Sequence, residues 1–348
     1  MAKRHFVPKA GVEYTKADFT SDQMVKWCPG CGDHAILASV TKALPEVSKL
    51  LKYNSERYVF VSGIGCSSRF PYYVDTYGFH GIHGRGGAIA TGVKVANPTL
   101  SMWQISGDGD SLAIGGNHFI HAVRRNIDMN LILFNNQIYG LTKGQYSPTS
   151  PLGKITKTSP FGTVEHPFNP GELVIGAQGK FFARSIDVDL NLTTELLVEA
   201  AKHDGYSVVE VLQNCVIFND KAHAYITDRE NRADRTIVLK HGEKMLFGKE
   251  RNKGLVLDGR KLKAVTVGQD GYTLDDVLTH DATTADPGIH MMLVAMEGPE
   301  MPVALGVIRN VAAATYDDGV RDQVAEVMKT AKIHNVQELL NSGETWEV

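Results

Sequence analysis

Cysteine is scarce in this sequence, and neither sign of charge dominates. Four cysteines occur in 348 residues, and 36 Lys and Arg residues stand against 39 Asp and Glu residues, for a formal net charge of −3. Without a basic excess the chain offers no electrostatic surface for nucleic acid, so we expect no nucleic-acid partner. Structural disulfides are disfavoured in a reducing cytoplasm, which gives the few thiols more weight as metal or redox ligands.

Long apolar runs, internal repeats and low-complexity linkers are also lacking. No apolar run reaches the roughly 20 residues that a membrane-spanning helix needs. The basic residues at the N-terminus precede no apolar core of the kind that a secretory signal has. We therefore expect a cytoplasmic protein without a membrane partner. The length of 348 residues suits one large α/β domain with additional segments, or two domains.

The first 222 residues alternate short apolar segments with helical ones. Most of the apolar segments are rich in Val, Ile, Leu and Phe, which is typical of strands covered on both faces. Strands are predicted at 58–62, 101–106, 130–134, 180–185 and 207–212, and helices at 33–44, 86–96, 112–125, 171–177 and 193–203. This alternation predicts an α/β fold with a mostly parallel sheet and helices on both faces. Ligands of such sheets bind in the loops that follow the carboxyl ends of the strands.

The residues after 222 have a different character. Residues 223–260 are rich in charge and glycine, and short strand-like segments follow at 262–267 and 290–294. A last helix is predicted near residues 320–333. We therefore predict a cofactor-binding domain at 1–222 and an extension at 223–348 that wraps over the core or a partner subunit.

The strongest chemical signal lies at the ends of two consecutive predicted strands. The second strand ends in Gly107-Asp108-Gly109, and the third ends in Asn135-Asn136. Parallel strands place these ends at the same edge of the sheet, where glycines let the backbone approach an anion and the next helix directs N–H groups toward it. A carboxylate, a carboxamide oxygen and a backbone carbonyl suit Mg²⁺, which completes its coordination with phosphate oxygens and water.

A glycine-rich loop, residues 80–87, adds candidate anion ligands. It contains His83 and Arg85 and precedes the helix predicted at 86–96. Both side chains could donate charge-assisted hydrogen bonds to a diphosphate. A glycine hinge with a surface arginine is the alternative interpretation.

The four cysteines are distributed as one close pair and two single residues. Cys28 and Cys31 form a Cys-x-x-Cys turn before a helix, whereas Cys66 and Cys215 each follow a predicted strand. A thioredoxin-like dithiol would leave the last two without a role, and structural zinc usually takes its ligands from two close pairs. An iron–sulfur cluster accepts thiolates from separate loops. Convergence at the strand ends favours a cluster beside Asp108, with zinc and a dithiol as the alternatives.

Five motifs, in this order, resemble those of the beta subunit of 2-oxoacid:ferredoxin oxidoreductases. They are WCPGCG, GIGCSSR, YGFHGIHGR, GDGDSLAIGGNHFIHAVRRN and IYGLTKGQ. The resemblance is dense over residues 26–146 and thinner up to Cys215. It implies a thiamine-diphosphate-binding fold and one [4Fe–4S] cluster ligated by Cys28, Cys31, Cys66 and Cys215. It also implies Mg²⁺ bound by Asp108, the Asn136 side chain and the Ile138 carbonyl.

The same resemblance implies which residues surround thiamine diphosphate. They are Ile64, Gly65, Cys66, Ser67, His83, Arg85, Gly107, Asp108, Gly109, Asp110, Asn136, Ile138, Gly140, Leu141 and Thr142. The implied reaction decarboxylates a 2-oxoacid, passes electrons singly through the cluster to ferredoxin and gives the acyl group to coenzyme A. The sequence contains only one cofactor-binding α/β domain. The glutamate that contacts the thiamine aminopyrimidine would therefore come from an alpha subunit, in an αβ or α2β2 assembly.

Two cations lie near the reacting centre by motif position, Arg69 after the third cysteine and Lys143 in the last motif. Either could bind a second carboxylate on the substrate. We therefore predict 2-oxoglutarate as substrate, with pyruvate or a broad range of 2-oxoacids as the alternative. A non-oxidative thiamine enzyme would leave the cysteines without a role. A zinc- or cluster-containing assembly or electron-transfer subunit, which is not itself catalytic, would leave the magnesium motif without one.

Overall fold

Two β-sheets organise residues 13–346, which are the residues that the computed structural model describes. The prediction about the N-terminal segment falls mainly on residues 1–12 and lies outside this range. The strands are β1 (Tyr58–Ser62), β2 (Tyr77–His80), β3 (Ser101–Gly107), β4 (Met129–Asn135), β5 (Phe181–Ile186), β6 (Tyr206–Leu212), β7 (Thr236–Leu239), β8 (Leu246–Phe247), β9 (Lys253–Asp258), β10 (Lys261–Thr266) and β11 (Val303–Asn310). The larger sheet has the order β2-β1-β3-β4-β6-β5-β11-β7, and the smaller has the order β10-β9-β8.

Helices connect most of the strands of the larger sheet. They are α1 (Asp33–Leu51), α2 (Gly86–Ala96), α3 (Gly116–Arg125), α4 (Pro170–Gly176), α5 (Leu190–Lys202), α6 (Ala224–Thr227), α7 (Arg232–Arg235), α8 (Gly288–Val294), α9 (Tyr316–Thr330) and α10 (Val336–Leu340). A 3-10 segment, Ser67–Tyr72, follows the third cysteine, and a π-helical turn, Asp110–Ile114, precedes α3. No helix between residues 13 and 346 combines the length and apolar character that crossing a membrane requires.

The direction of the strands confirms the predicted α/β architecture. Six neighbouring strands of the larger sheet, in the order β2, β1, β3, β4, β6 and β5, pair in parallel. β11 pairs with β5 in the antiparallel direction. All six parallel strands therefore present their carboxyl ends at one edge of the sheet. Side chains on the two faces of this sheet belong to two buried hydrophobic clusters. One cluster packs against α1 and α5, and the other packs against α2, α3 and α8. Alternation along β4 shows the division, because Ile132 belongs to the first cluster and Leu131 to the second.

The five predicted strands are confirmed to within one residue at either end. The predicted helix at 112–125 is divided, since a π-helical turn ends at Ile114 before α3 begins at Gly116. The strand predicted at 290–294 is wrong, because these residues belong to α8. A short apolar run does not distinguish a buried strand from a buried helix. Here His290, Leu293 and Val294 form the buried side of a helix that packs against β11.

The residues after 222 contribute to the larger sheet as well as covering it. β11 and β7 are its last two strands, and the smaller sheet packs its apolar residues against the second buried cluster. The strand predicted at 262–267 is confirmed as β10, and the helix predicted near 320–333 overlaps α9, although α9 ends at Thr330 and α10 follows it. The division at residue 222 stays a prediction.

Candidate functional site

A cavity of about 440 Å³ opens at the carboxyl ends of β1, β3 and β4. Its walls include every residue predicted to surround the cofactor except Arg85. Those lining residues are Ile64, Gly65, Cys66, Ser67, His83, Gly107, Asp108, Gly109, Asp110, Asn136, Ile138, Gly140, Leu141 and Thr142. The remaining lining residues are Phe134, Tyr139 and Gln145. The parallel sheet thus brings together motifs that lie far apart in the chain, at the edge where ligands of such sheets bind.

Asp108 is the buried carboxylate of this cavity. Only 2% of its surface is exposed, and Ser147 Oγ donates a 2.5 Å hydrogen bond to its Oδ2. Thr149 Oγ1 donates to the same oxygen. Burial raises the pKa of Asp108 to about 6, although the hydrogen bonds from Ser147 and Thr149 oppose the rise. Burial disfavours the ionised form of the carboxyl group because it removes the charge from water. A cation bound to Asp108 would stabilise the ionised carboxylate and offset this desolvation cost.

Asp110 joins three of the loops that surround the cavity. Its carboxylate accepts hydrogen bonds from the backbone N–H groups of Ile64, at 3.1 Å, and Gly84, at 2.7 Å. Ser106 Oγ donates to it at 2.5 Å, and His83 Nδ1 lies 2.9 Å from its Oδ1. Asp110 therefore fixes the loops after β1, β2 and β3 relative to one another.

The loop after β4 makes a tight turn whose residues Asn136, Ile138 and Tyr139 line the cavity. Gln137 has a left-handed backbone, with a φ of 56°, and Asn136 Oδ1 accepts a 3.2 Å hydrogen bond from the N–H of Ile138. The Tyr139 hydroxyl donates a 3.0 Å hydrogen bond to the carbonyl of Gly109. A Cβ at Gly109 would lie 2.1 Å from the Tyr139 ring, so this contact between two motifs requires glycine.

The four cysteine residues approach the same edge of the sheet. A Cβ placed on Gly140 would lie 3.4 Å from Cys66 Sγ and 3.6 Å from Cys215 Sγ. Burial raises the pKa of the Cys66 thiol to about 12, and the charges of Asp33, Cys215 and Cys28 add to the rise. The pKa of Cys31 is raised by burial as well, with Cys215 and Cys66 among the groups that contribute. Each of the four thiols therefore lies within electrostatic range of at least one of the others.

Polar groups support the cysteine loops. Trp27 Nε1 donates a 2.6 Å hydrogen bond to the carbonyl of Cys66, and Gln213 Nε2 lies 3.3 Å from Cys31 Sγ. Burial raises the pKa of Asp33 to about 7, a hydrogen bond from Cys31 opposes this, and the charge of Asp187 adds to it. Within the described residues, no group of three or more His, Cys, Asp or Glu side chains has the spacing for a metal ion.

The predicted cations lie outside the cavity. Arg85 Nη1 donates a 3.2 Å hydrogen bond to the carbonyl of Ile114. Arg69 is exposed, and its charge lowers the pKa of Cys66, which places it near the cysteines. Lys143 is also exposed and has a left-handed backbone, with a φ of 71°. The predicted acidic, amide and thiol residues thus meet at the cavity, whereas Arg69, Arg85 and Lys143 do not line it.

Sequence reasoning missed the hydroxyl groups that contact Asp108. Ser147 and Thr149 lie in the segment Tyr146-Ser147-Pro148-Thr149-Ser150, directly after the last motif. A cluster of Ser and Thr around a proline predicts a turn, and it is the only local signal there. Their contact with Asp108 spans about 40 residues of chain and depends on the tertiary structure.

Comparison with known proteins identifies the family. Residues 63–211 match the C-terminal thiamine pyrophosphate-binding domain of thiamine pyrophosphate enzymes. The chain is 46% identical to the 2-oxoglutarate oxidoreductase subunit KorB of Mycobacterium tuberculosis, with 100% of this chain and 92% of that protein covered. It is 44% identical to the 2-oxoglutarate synthase subunit KorB of Archaeoglobus fulgidus, over 57% of this chain and 73% of that protein.

A solved structure supports the same assignment over the whole chain. The 2-oxoglutarate:ferredoxin oxidoreductase from Magnetococcus marinus, with 2-oxoglutarate, coenzyme A and succinyl-CoA bound, has a chain with a TM-score of 0.75 and 28% identity to this one. The two chains cover 99% of each other. The predicted thiamine-diphosphate-binding α/β fold is therefore confirmed. The chain belongs to the family of 2-oxoacid:ferredoxin oxidoreductase beta subunits.

Proposed function

We propose that this chain and an alpha subunit together catalyse the coenzyme A-dependent oxidative decarboxylation of 2-oxoglutarate, with one-electron transfers through a [4Fe–4S] cluster to ferredoxin. One observation carries the proposal: Cys66 and Asp108 line the same cavity of about 440 Å³. A thiol that ligates a cluster would then adjoin the site of the organic cofactor. Electrons could pass from one to the other over a short distance.

The residues around Asp108 fit a Mg²⁺ ion that carries a diphosphate. A buried carboxylate with a raised pKa, a carboxamide and a backbone carbonyl are the hard oxygen donors that Mg²⁺ prefers. In the proposal these donors come from Asp108, Asn136 and Ile138. Thiamine diphosphate, when bound, supplies the carbanion and electron-sink chemistry. The chain's own part is to hold the diphosphate end through Asp108 and to present the Gly140–Thr142 wall.

The cysteines fit a cluster better than a single ion. A zinc ion draws its four donors to about 2.0–2.3 Å from one centre, whereas a [4Fe–4S] cluster binds each thiolate at a different iron atom. Cys66 and Cys215 both lie beside Gly140, with their Sγ atoms 3.4 and 3.6 Å from a Cβ placed there, and each could bind a different iron atom of one cluster. We propose Cys28, Cys31, Cys66 and Cys215 as the four ligands.

The proposed substrate is 2-oxoglutarate. The M. tuberculosis and A. fulgidus relatives are named for 2-oxoglutarate, and the M. marinus structure contains it. Arg69 and Lys143 are exposed at the rim of the cysteine and cavity region, where a partner subunit could enclose them. We propose that one or both bind the second carboxylate of the substrate. Replacing Lys143 or Arg69 by Gln should raise the KM for 2-oxoglutarate much more than that for pyruvate.

The proposed assembly includes an alpha subunit, ferredoxin and coenzyme A, in the cytoplasm. The name "beta subunit" implies the alpha partner, which in this proposal supplies the glutamate on the aminopyrimidine and the contacts to coenzyme A. Among the strands of residues 13–346, the exposed strand β2 lies at one edge of the larger sheet and is available for such a partner.

The decisive experiment is anaerobic co-expression with the alpha subunit. The complex should contain about four irons per beta chain and should reduce ferredoxin with 2-oxoglutarate and coenzyme A. A Cys215→Ser complex should lose the iron and the ferredoxin reduction. A colourless complex that contains zinc would refute the cluster. An iron-containing complex with equal activity on pyruvate and 2-oxoglutarate would remove the substrate assignment alone.

A further inference from the structure

A buried ion pair lies in the larger sheet, behind the site described above. Arg184 of β5 and Glu210 of β6 are direct neighbours in the register, and Arg184 Nε lies 2.6 Å from Glu210 Oε2. They are 5% and 1% exposed. Two buried charges are costly to desolvate, and apolar residues of similar size often stabilise a core equally well. The pair therefore calls for a role beyond packing.

The ion pair fixes the side chain of Asn135. Glu210 Oε1 accepts a 2.7 Å hydrogen bond from Asn135 Nδ2. Because the carboxylate can only accept, the amide nitrogen must face Glu210 and the amide oxygen must face away. The Asn135 carbonyl also accepts hydrogen bonds, from Gln213 N at 2.9 Å and from His223 Nε2 at 3.0 Å. Asn135 is thus anchored at both ends, directly before Asn136.

The fixed amide oxygen of Asn135 meets the hydroxyl that contacts Asp108. Thr149 Oγ1 lies 2.9 Å from Asn135 Oδ1 and is also hydrogen-bonded to Asp108 Oδ2. A threonine hydroxyl has one proton, so the amide oxygen and the carboxylate compete for it. The orientation of the Asn135 amide therefore determines whether the Thr149 hydroxyl donates its proton to Asp108 alone or shares it with Asn135. A less satisfied carboxylate is a stronger ligand for a cation.

We propose that Glu210 is a positioning residue for the metal–diphosphate site and acts on Asp108 through Asn135 and Thr149. This relay (Arg184, Glu210, Asn135, Thr149) rests on the proposed function, in which Asp108 binds Mg²⁺. All four relay residues also line a second cavity, of about 420 Å³, whose lining residues differ from those of the first. Water in that cavity can hydrate a group that loses its partner, which favours folding of relay variants.

Glu210→Gln tests the relay because it changes hydrogen-bond polarity with little change in shape. The Arg184 guanidinium holds the carbonyl of the new amide, so the NH2 group faces Asn135. The Asn135 amide must then reverse, and Thr149 gives its proton entirely to Asp108. We expect the affinity for Mg²⁺ to fall by about tenfold or more, the usual effect of losing a residue that orients a metal ligand.

A second substitution should restore the relay. Adding Asn135→Asp to Glu210→Gln returns an acceptor to the position that faces Thr149 and keeps the total charge. The double variant should recover Mg²⁺ affinity to within about threefold of the original. A merely structural role for Glu210 predicts no such recovery. Lys94→Met, which removes the buried cation of another ion pair, 2.7 Å from the partly buried Asp128, is the control for lost stability.

The measurement is calorimetric titration of Mg²⁺ into the co-expressed complex, freed of Mg²⁺ and saturated with thiamine diphosphate, together with its thermal midpoint. Weakened binding in Glu210→Gln, recovery in the double variant and unchanged binding in Lys94→Met support the relay. Unchanged binding in Glu210→Gln overturns it. If Glu210→Gln does not fold, Thr149→Val, which removes the hydroxyl that contacts Asp108, must strengthen Mg²⁺ binding, and Thr149→Ser, which keeps it, must leave binding unchanged, or the relay is wrong. If Asp108→Ala leaves Mg²⁺ binding intact, the proposed function fails and the relay with it.

Discussion

The indole nitrogen of Trp27 donates a 2.6 Å hydrogen bond to the backbone carbonyl of Cys66. This bond joins the Cys-x-x-Cys turn to the loop after β1, two segments that are 39 residues apart in the chain. It therefore holds the first pair of thiols against the third.

Trp27→Phe should loosen this junction. The substitution removes one of two hydrogen bonds that the Cys66 carbonyl accepts, since the Arg69 N–H also donates to it at 3.2 Å. The loss of one such bond costs about 0.5–1.5 kcal/mol of unfolding free energy. We expect iron to be lost from the aerobically incubated complex faster than from the original. Trp103→Phe is the control, because Trp103 is also buried and donates to Ser101 Oγ at 3.1 Å within β3. It should lower stability similarly without changing iron loss. Equal rates for both variants would contradict the role of Trp27.

Gly140→Leu should exclude the cluster and leave the thiols in place. A side chain at this position grows toward Cys66 Sγ and Cys215 Sγ, which already lie 3.4 and 3.6 Å from the first added carbon. We expect a folded complex with four titratable thiols and little iron. Gly92→Leu, at a position with no atom within 4 Å of an added Cβ, should retain its iron. A full iron content in Gly140→Leu would place the cluster elsewhere.

Gly109→Ala and Gly116→Ala should have opposite effects on stability. The added carbon at Gly109 collides with the Tyr139 ring at 2.1 Å, and overpacking of this kind costs about 1–3 kcal/mol. Gly116 begins α3 and an added Cβ there meets nothing within 4 Å. Alanine should stabilise that helix by about 0.5–1 kcal/mol. Chemical denaturation measures both changes. If both variants lose stability, the cost comes from replacing glycine's flexible backbone and not from the collision with the Tyr139 ring.

Asp108→Asn should stabilise the metal-free protein at pH 8 and abolish its Mg²⁺ binding. Burial raises the pKa of Asp108 to about 6, above the value of about 4 in an unfolded chain. The folded protein therefore retains the proton between these values, and its stability falls as pH rises through 6. Asparagine avoids that loss, so we expect a gain of about 2–3 kcal/mol at pH 8 and little change at pH 4.

Denaturant unfolding of the metal-free chain at the two pH values checks this prediction. Asp22→Asn, which removes an exposed carboxylate, is the control and should not alter the pH dependence. A gain that is the same at both pH values would show that the carboxyl group is destabilising for a reason other than its ionisation.

The sequence by itself determined the elements of the site that depend on local order. Asp108 and Asn136 follow parallel strands one crossover apart, so strand direction alone places them at one edge. The same reasoning places Cys66 and Cys215 after β1 and β6. The need for glycine at position 109 could also be predicted from the motif, because only glycine, which has no side chain, lets the backbone approach a partner group closely.

The tertiary structure alone decided which groups act on Asp108 and how β11 and β7 join the larger sheet. Thr149 reaches Asp108, and Glu210 reaches Asn135 across 75 residues of chain, through contacts that no spacing encodes. β11 joins β5 in the antiparallel direction, and residues 290–294 are helical, because packing against a finished sheet overrides weak local preference. Local sequence patterns determine where a strand ends. Only the tertiary structure determines which side chain from a distant segment contacts that strand end.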